Sequence, residues 1–288
     1  MTKKVGLVGY GYWGRNLARC FNELGVLQGI AEPDPNRNIK ATEFCGRTFS
    51  SLGEMISTLD FLDAITIATP PETHYTIARQ ALSASKDVFI EKPMTTSLVD
   101  ARSLENQAKS QGCNLMVGHI YLHNDGIKRI PIPVGPAELY VQLLNEGGAP
   151  SDSTRDITWA SLPHACSLAL HFFPIWPDKI EVRSDEFRIR AHLSYWNGSE
   201  AYLDVGDFTG EKLRKVELRV QNSRYLFDVF SPEGVTFHSG IGVTSFGFGQ
   251  DMKKVEPLMA ECKSFLDYKG VDPMGAKVVR LIEMIIEC

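Results

Sequence analysis

The chain has 288 residues, 43% of them hydrophobic and 23% charged, which excludes a disordered or fibrous protein. Lysine and arginine number 30 against 35 acidic residues, so the net charge of −5 provides no basic field for nucleic-acid phosphates. Apolar runs are shorter than the ~20 residues of a membrane span, and the amino terminus leads directly into a strand-like segment. We therefore expect a cytoplasmic protein with no signal region and no nucleic-acid or membrane partner.

The six cysteines are scattered singly along the chain, without a Cys-x-x-Cys pair. A chain of this length buries its own core and needs no covalent staples. We expect reduced thiols, neither a disulfide framework nor a zinc site, and no other metal.

The first 120 residues alternate short apolar runs with amphipathic stretches, the pattern of β-α-β units on a parallel sheet. The strands read as continuous apolar runs, as expected when both of their faces are covered. The predicted strands are Val5–Val8, Leu27–Glu32, Ala64–Ala68, Asp87–Glu91 and Asn114–Gly118. The predicted helices are Trp13–Leu24, Thr73–Ser83 and Ser97–Gln111, the last opened by a capping box of Ser97 and Asp100.

After Gly118 the pattern changes to alternating segments, typical of a largely antiparallel sheet. The predicted strands are Leu139–Leu143, Phe187–Ser194, Ala201–Asp207, Lys215–Val220 and Tyr225–Phe230. The predicted helices are Leu162–Phe173, Met252–Phe265 and Gly275–Glu287. The sequence thus predicts an α/β protein. A doubly wound Rossmann domain spans residues 1–120, and an α+β domain with an open, largely antiparallel sheet spans residues 121–288, its C-terminal helix packing back on the first domain.

A glycine-rich turn follows the first strand and opens the first helix. Gly9, Gly11 and Gly14 form a G-x-G-x-x-G pattern. The first glycine allows the tight turn, the second lets a pyrophosphate approach the backbone, and the third lets helix and strand pack closely. The amino terminus of the helix offers N–H groups to the phosphate. With a strand before it and a helix after it, the motif predicts a dinucleotide-binding site.

Glu32 stands at the end of the second predicted strand, eighteen positions beyond Gly14. A carboxylate there binds both adenosine-ribose hydroxyls and repels a 2′-phosphate. No lysine or arginine follows before Arg37, so the sequence favours NAD over NADP as the cofactor.

Lys92 follows an apolar strand within Glu91-Lys92-Pro93. The carboxyl ends of the strands line the ligand crevice of a doubly wound sheet. A lysine there hydrogen-bonds a hydroxyl or carbonyl and assists proton movement. For an arbitrary lysine, a solvated strand end is the alternative.

Four ordered motifs together resemble the Gfo/Idh/MocA family of nicotinamide-dependent oxidoreductases. They are Gly9–Gly14, Ala68–His74, Glu91–Pro93 and Val117–His119. Beside the three glycines and Glu32, the resemblance implies cofactor contacts from Tyr12, Trp13, Thr69, Pro70, His74 and Glu91. The resemblance continues more thinly into the second domain, at Trp159–His164.

By this resemblance, Lys92 and His164 lie beside the substrate carbon that exchanges hydride with the nicotinamide, with His164 as general acid or base. The implied substrate-binding residues are Lys92, His119, Tyr121, Asn124, Trp159 and His164. Tyr121, Trp159 and Trp196 are candidates for stacking on a sugar ring, although a core or interface role fits each of them as well.

Two departures from the family bear on the substrate chemistry. Ala160 occupies the position of the family's aspartate, four residues before His164, and Asp156 lies a further turn upstream. Lys128–Pro133 replaces a usually longer helix, because its two prolines cannot continue one.

The sequence therefore favours an NAD-dependent oxidoreductase that transfers hydride between the nicotinamide and a secondary alcohol or ketone of a sugar, polyol or nucleotide-linked sugar. An NAD(H)-binding sensor or assembly protein without turnover stays open, as does a reductase of a non-sugar carbonyl or imine.

We also expect a homodimer or homotetramer. The alternating set Leu193, Tyr195, Leu203 and Val205 predicts an apolar sheet face. Such a face pairs with another subunit unless the chain's own helices cover it.

Overall fold

The computed structural model describes residues 3–146, 157–208, 212–230, 235–239, 242–246 and 256–288. The chain divides into a first compact unit, Met1–Gly118 with Leu258–Val279, and a second, His119–Pro257 with Arg280–Cys288. The sequence predicts that residues 121–288 form the second domain, whereas in the structure Leu258–Val279 belong to the first unit. The reason is the packing of Phe265, whose ring lies 5.5 Å from Phe89 and 6.4 Å from Phe21.

The first 118 residues alternate strands and helices. They form β1 (Val5–Val8), α1 (Tyr12–Glu23), β2 (Leu27–Ala31), α2 (Pro35–Ala41), β3 (Thr48–Phe49), α3 (Leu52–Thr58), β4 (Ala64–Ile67), α4 (Pro71–Ser83), β5 (Asp87–Glu91), α5 (Leu98–Gln111) and β6 (Leu115–Gly118). The apolar strands follow the prediction closely. The sequence analysis misses α2, β3 and α3, which are short. Ser97 precedes α5, but its side chain makes no capping hydrogen bond, contrary to the expected capping box.

These six strands form one parallel sheet in the order β3-β2-β1-β4-β5-β6. The order reverses between β1 and β4, and ligands bind beyond the carboxyl ends of the strands at such a point. The turn after Val8, the loop after Ile67 and Lys92 after β5 all lie at that edge of the sheet. The predicted doubly wound fold is confirmed.

The rest of the chain begins with a 3-10 helix, Ile120–His123. It continues with α6 (Asp125–Arg129), β7 (Glu138–Glu146), α7 (Ile157–Phe172), β8 (Lys179–Ser184), β9 (Arg188–Ser194), β10 (Glu200–Phe208), β11 (Leu213–Val220), β12 (Ser223–Asp228), β13 (Val235–Ser239), β14 (Gly242–Phe246), α8 (Pro257–Asp267) and α9 (Gly275–Ile286). Met252–Val255, the start of one predicted helix, lie outside the described residues. Within the ranges given above, no helix is long and apolar enough to cross a membrane.

The strands β7 to β14 form a second sheet in the order β14-β13-β12-β11-β7-β10-β9-β8. β7 and β10 pair in parallel and the other neighbours pair antiparallel, as predicted for a largely antiparallel sheet. Helix α7 packs on β7, β9 and β10. The expected apolar set is buried on this sheet: Leu193, Tyr195, Leu203 and Val205. The expectation that these four residues pair with another subunit is therefore wrong, because the chain's own helix covers that face.

Candidate functional site

The turn between β1 and α1 rests on two close approaches that only glycine allows. Gly9 has a φ of +92°, and a Cβ on it would lie 2.5 Å from the carbonyl oxygen of Ala68. A Cβ on Gly14 would lie 2.0 Å from the carbonyl oxygen of Gly9. The missing side chains let α1 start against the turn and the turn lie directly on the loop after β4.

Gly11 differs from both neighbours, because a Cβ added to it would meet no atom within 4 Å. It precedes α1, and no described side chain caps the helix there. The first N–H groups of α1 and the positive end of its dipole are thus left for an external acceptor. Phosphate is a ligand that such groups hold well. The turn therefore fits the pyrophosphate of a dinucleotide.

Glu32 directly follows β2 and is only 3% exposed. Its Oε2 accepts the N–H of Tyr10 at 2.7 Å, and its Oε1 accepts the N–H of Asp34 at 3.0 Å. The guanidinium of Arg37 lies 3.2 Å from the same Oε1. A carboxylate offers about four acceptor positions. Three donors therefore leave room for one ribose hydroxyl, rather than the two expected from the sequence.

Helix α2 explains why Arg37 reaches Glu32. Asp34 caps the helix, since its Oδ1 accepts the N–H of Asn36 at 2.8 Å and that of Arg37 at 3.1 Å. The chain turns back here, so the guanidinium lies beside the carboxylate. The argument from sequence that no cation stands near Glu32 is therefore wrong, although Glu32 itself lies at the strand end as predicted.

Tyr10 is a residue of the turn that the sequence analysis does not single out. Beside its N–H bond to Glu32, its hydroxyl donates to Oε1 of Glu43 at 2.5 Å. Burial and then Glu43 raise the pKa of Tyr10, so the phenol keeps its proton. Glu43 also pairs with Nε of Arg15 at 2.9 Å. As a variable position of the motif, Tyr10 gives no sequence signal for this role.

The end of β5 places Glu91 and Lys92 side by side. Oε1 of the buried Glu91 accepts the indole N–H of Trp13, and Oε2 accepts the N–H of Lys92 at 3.2 Å. Trp13 stands in the first turn of α1. The two hydrogen bonds of Glu91 therefore connect the glycine turn at the start of α1 with Lys92 at the end of β5. Burial raises the pKa of Glu91 to about 7, although the charge of Lys92 acts in the opposite direction. Lys92 is half-buried.

The loop after β4 holds Thr69, Pro70 and His74. The hydroxyl of Thr73 donates to Oγ1 of Thr69 at 2.7 Å, and Pro70 directly precedes α4. Nδ1 of the buried His74 lies 2.7 Å from the carbonyl oxygen of Pro93, and Nε2 lies 2.9 Å from that of Thr69. Both ring nitrogens thus face backbone carbonyls. His74 joins the loops after β4 and β5 and offers no nitrogen to a cofactor.

In the second unit, Tyr121 and His164 come together. Their ring centroids are 5.2 Å apart in an edge-to-face arrangement. Tyr121 belongs to the 3-10 helix that follows the buried His119, and His164 lies on α7. Burial raises the pKa of Tyr121 to about 12, so the phenol stays neutral near pH 7. The pair thus places a neutral phenol beside an imidazole.

Helix α7 places Ala160 one turn before His164 on the same face. The carboxylate of the family pattern would have stood there, beside the imidazole. Trp159 is five residues from His164 and therefore lies on a different face of the helix. Asp156, the possible replacement for the missing carboxylate, lies outside the described residues.

Two other predicted residues occupy different surroundings. Oδ1 of Asn124 accepts the N–H of Gly126 at 2.8 Å and so caps α6, which ends at Arg129 before the two prolines, as predicted. Trp196 is 76% exposed, in the turn between β9 and β10.

Comparison with known proteins finds relatives of this chain. Residues 3–119 match the oxidoreductase family with an NAD-binding Rossmann fold. An uncharacterized oxidoreductase of Streptococcus pneumoniae is 34% identical over 126 residues, which cover 43% of this chain but only 34% of that protein. UDP-N-acetylglucosamine 3-dehydrogenase of Acidithiobacillus ferrooxidans is 24% identical over 277 residues, covering 92% of this chain and 88% of that protein.

A solved structure of the Acidithiobacillus ferrooxidans dehydrogenase matches this chain with a TM-score of 0.88. The match covers 100% of this chain and 97% of that one, at 21% identity, which shows a shared fold. The glycine turn, the carboxylate at the end of β2 and the matched nucleotide-binding domain agree with that fold. Residues 3–119 are thus similar to the NAD-binding Rossmann domain of the Gfo/Idh/MocA oxidoreductases.

Proposed function

We propose that the chain is an NAD-dependent oxidoreductase that transfers hydride between the nicotinamide and a secondary alcohol or ketone of a sugar, a polyol or a nucleotide-linked sugar. One observation carries the proposal: the open turn at Gly11, the carboxylate of Glu32 and the side chain of Lys92 all follow strands of one parallel sheet at its carboxyl edge. The substrate class draws support from the relative named as a UDP-N-acetylglucosamine dehydrogenase, which matches 92% of the chain.

Binding of NAD in preference to NADP follows from the charges around Glu32. The N–H groups at the start of α1 hold the pyrophosphate, and Glu32 accepts a ribose hydroxyl while repelling a 2′-phosphate. Arg37 is paired with Glu32 at 3.2 Å and lies 3.8 Å from Asp34. These two acids neutralise the guanidinium, so it offers little net charge to a phosphate.

Bound NAD supplies the carbon that accepts or returns the hydride. We assign Lys92 to the substrate oxygen, where an ammonium group stabilises developing negative charge. We assign His164 as the general acid or base. It takes the proton of that oxygen when the alcohol is oxidised, and it returns the proton when the ketone is reduced. The ring of Tyr121 packs edge-to-face on the His164 imidazole, with the two centroids 5.2 Å apart. This contact fixes the orientation of the imidazole ring.

Ala160 favours a second candidate function. No carboxylate stands one turn before His164 to orient the imidazole, which fits an NAD(H)-binding protein without turnover. Reduction of a non-sugar carbonyl or imine also needs no carboxylate at that position.

The experiment that separates these functions measures binding and turnover on the same protein. NADH binding is followed by fluorescence, and NADH formation is followed with NAD⁺ and a panel of polyols, sugars and nucleotide-linked sugars. Turnover of one panel member supports the proposed function. Saturable NADH binding without any turnover on the panel would favour the binding-protein alternative. Ala160→Asp then tests whether the missing carboxylate is the reason.

We also propose that the second sheet pairs with a second copy of the chain, through the face opposite α7. A row of stacked side chains crosses that face. The Arg219 guanidinium lies 4.5 Å from the Tyr140 ring centroid, Tyr140 and Tyr202 stack at 4.7 Å, and Tyr202 and His192 stack at 4.4 Å. Arg219 also forms an ion pair with Glu138, so this face carries a positive and a negative group. In a two-fold symmetric dimer the same face of two copies meets, and the positive group of one copy can face the negative group of the other. Light scattering at micromolar concentration should give a multimer, and Tyr202→Glu should reduce its mass.

A further inference from the structure

Glu91 is a buried acid to which the proposed reaction gives no role. It is 7% exposed and ends β5, so its side chain lies on the same face of the sheet as that of Phe89, two residues earlier. A carboxylate in such a place is costly unless donors meet it. The indole N–H of Trp13 binds its Oε1, and the N–H of Lys92 binds its Oε2 at 3.2 Å. Two separate segments of the chain therefore hold this carboxylate.

Gly118 leaves the space in which the carboxylate of Glu91 lies. The two residues are paired in register on the neighbouring strands β6 and β5. A Cβ on Gly118 would lie 3.2 Å from Oε1 and 3.3 Å from Cδ of Glu91, and 2.9 Å from Cζ of Phe89. The φ of Gly118 is outside the left-handed region, so the backbone conformation does not by itself require glycine. Glycine is needed here for the room that its missing side chain gives to the carboxylate.

Trp13 reaches Glu91 from the helix that begins at the glycine turn. It is the second residue of α1 and stands two positions after Gly11. Its indole N–H is the polar group of the side chain, and that group is bound to Glu91. The resemblance in sequence implies that both residues contact the cofactor, whereas the structure shows them bound to each other. The start of α1 thus offers backbone N–H groups to the pyrophosphate and a side-chain N–H to Glu91.

The charge of Glu91 acts on the lysine that follows it. Burial raises the pKa of Glu91 to about 7, while the charge of Lys92 and then the bond from Trp13 act in the opposite direction. Without the indole N–H this pKa should rise further, so a smaller fraction of the carboxylate would be ionised near neutral pH. A neighbouring negative charge favours the ammonium form of a lysine. Loss of that charge should therefore leave a larger fraction of the Lys92 amine neutral.

We propose that Trp13 and Gly118 are positioning residues for Lys92, and that both act through Glu91. The indole N–H and the empty side-chain position at Gly118 hold the carboxylate in one place. From there the carboxylate binds the backbone N–H of Lys92 and balances its ammonium. The helix that receives the pyrophosphate is thereby linked to the group assigned to the substrate oxygen. The consequence for catalysis rests on the proposed function, whereas the effect on the Lys92 amine does not need turnover.

The test measures the reactivity of the Lys92 amine in the full chain without cofactor. A trace of acetic anhydride labels neutral amines, and mass spectrometry gives the labelling of Lys92 relative to the exposed Lys40 in the same sample. At about pH 7, where Glu91 titrates, Trp13→Phe should raise this ratio. We expect a factor of about 2 to 10, since one pKa unit changes a neutral fraction by up to tenfold. Glu91→Gln should raise the ratio at least as much, and adding Trp13→Phe to it should raise the ratio no further.

Gly118→Ala tests the same link without touching the indole. The new Cβ would lie 3.2 Å from Oε1 of the carboxylate, so the carboxylate must move away from Trp13. The labelling ratio of Lys92 should rise, as it does in Trp13→Phe. Two matched substitutions are the controls and should leave the ratio unchanged. Trp176→Phe changes an exposed tryptophan, and Gly46→Ala adds a Cβ that meets no atom within 4 Å.

Kinetics separate a positioning role from a cofactor contact. On a panel substrate that turns over, Trp13→Phe should lower kcat by about tenfold or more, the size of one hydrogen bond to a charged group, with little change in the KM for NAD⁺. A higher KM with kcat and Lys92 labelling unchanged would make Trp13 a cofactor contact and overturn the proposal. Unchanged labelling in both Trp13→Phe and Gly118→Ala would also overturn it. If the labelling behaves as expected while the panel shows no turnover, the proposed function fails and the positioning role stands.

Discussion

A glycine-to-alanine substitution should have different effects at two positions of the glycine turn: it should weaken NADH binding at Gly11 and lower the Tm at Gly14. Gly11 has a φ of −74° and a ψ of −167°, which alanine adopts without strain, and a Cβ there meets no atom within 4 Å. Gly11→Ala should therefore leave the Tm unchanged or slightly raised. The new methyl group occupies the space through which the pyrophosphate approaches. NADH affinity should fall by about tenfold or more, equivalent to at least ~1.4 kcal/mol.

Gly14→Ala should have the reverse effect on stability. Its Cβ would lie 2.0 Å from the carbonyl oxygen and 2.9 Å from the carbonyl carbon of Gly9, and backbone atoms cannot move aside cheaply. Forcing an extra methyl into a packed site costs ~1–3 kcal/mol. At ~2–4 °C per kcal/mol for a domain of this size, the Tm should fall by about 2–12 °C.

The assay combines thermal unfolding with calorimetric NADH titration on each variant. Gly46→Ala is the matched control, since a Cβ there also meets no atom within 4 Å and the residue lies outside the turn. It should change neither quantity. If Gly11→Ala binds NADH as tightly as the wild type, the pyrophosphate does not lie on this turn. If Gly14→Ala melts like the wild type, the close approach to Gly9 is not a structural constraint.

The remaining predictions concern Glu32, proposed to bind the ribose, and Lys92 and His164, proposed to act on the substrate. Glu32→Ala should release Arg37 and raise the ratio of NADPH affinity to NADH affinity by about tenfold or more, measured by titrating both cofactors. The double variant Glu32→Ala with Arg37→Ala should lose this gain in NADPH affinity. Lys92→Ala and His164→Ala should each lower turnover by ~10²–10⁴-fold without changing NADH affinity, because neither is assigned to the pyrophosphate or the adenosine ribose. Ala160→Asp should raise the rate on a sugar substrate, measured as NADH formation, if the pocket has kept the family's geometry.

Features set by local sequence were predictable. The continuous apolar runs located β1, β4 and β5 to within a residue, and the spacing of the three glycines placed the turn at the start of α1. Glu32 and Lys92 could be assigned to the carboxyl edge because the strand order of a doubly wound sheet places strand ends there. These inferences need only neighbours along the chain and one topological rule.

Features that depend on a short helix with little apolar pattern, or on contacts between distant segments, were not predictable. The ion pair between Arg37 and Glu32 depends on a short helix capped by Asp34, which carries too little apolar pattern to be recognised. Phe265 lies on α8, far along the chain from Phe89 on β5, yet the two rings are 5.5 Å apart. A signal did exist for the buried face of α8, since Leu258, Cys262 and Phe265 recur at helical spacing, but the pattern does not reveal which unit that face meets.

The central claim is that this chain transfers hydride to and from a carbon bearing oxygen. The most direct measurement supplies NADH in which both C4 hydrogens are deuterium, together with the ketone of a panel substrate, and locates deuterium in the product by NMR. The account predicts deuterium on the new carbinol carbon, with none there in the Lys92→Ala protein over the same time. A product without deuterium, or no product from protein that binds NADH to saturation, would contradict it.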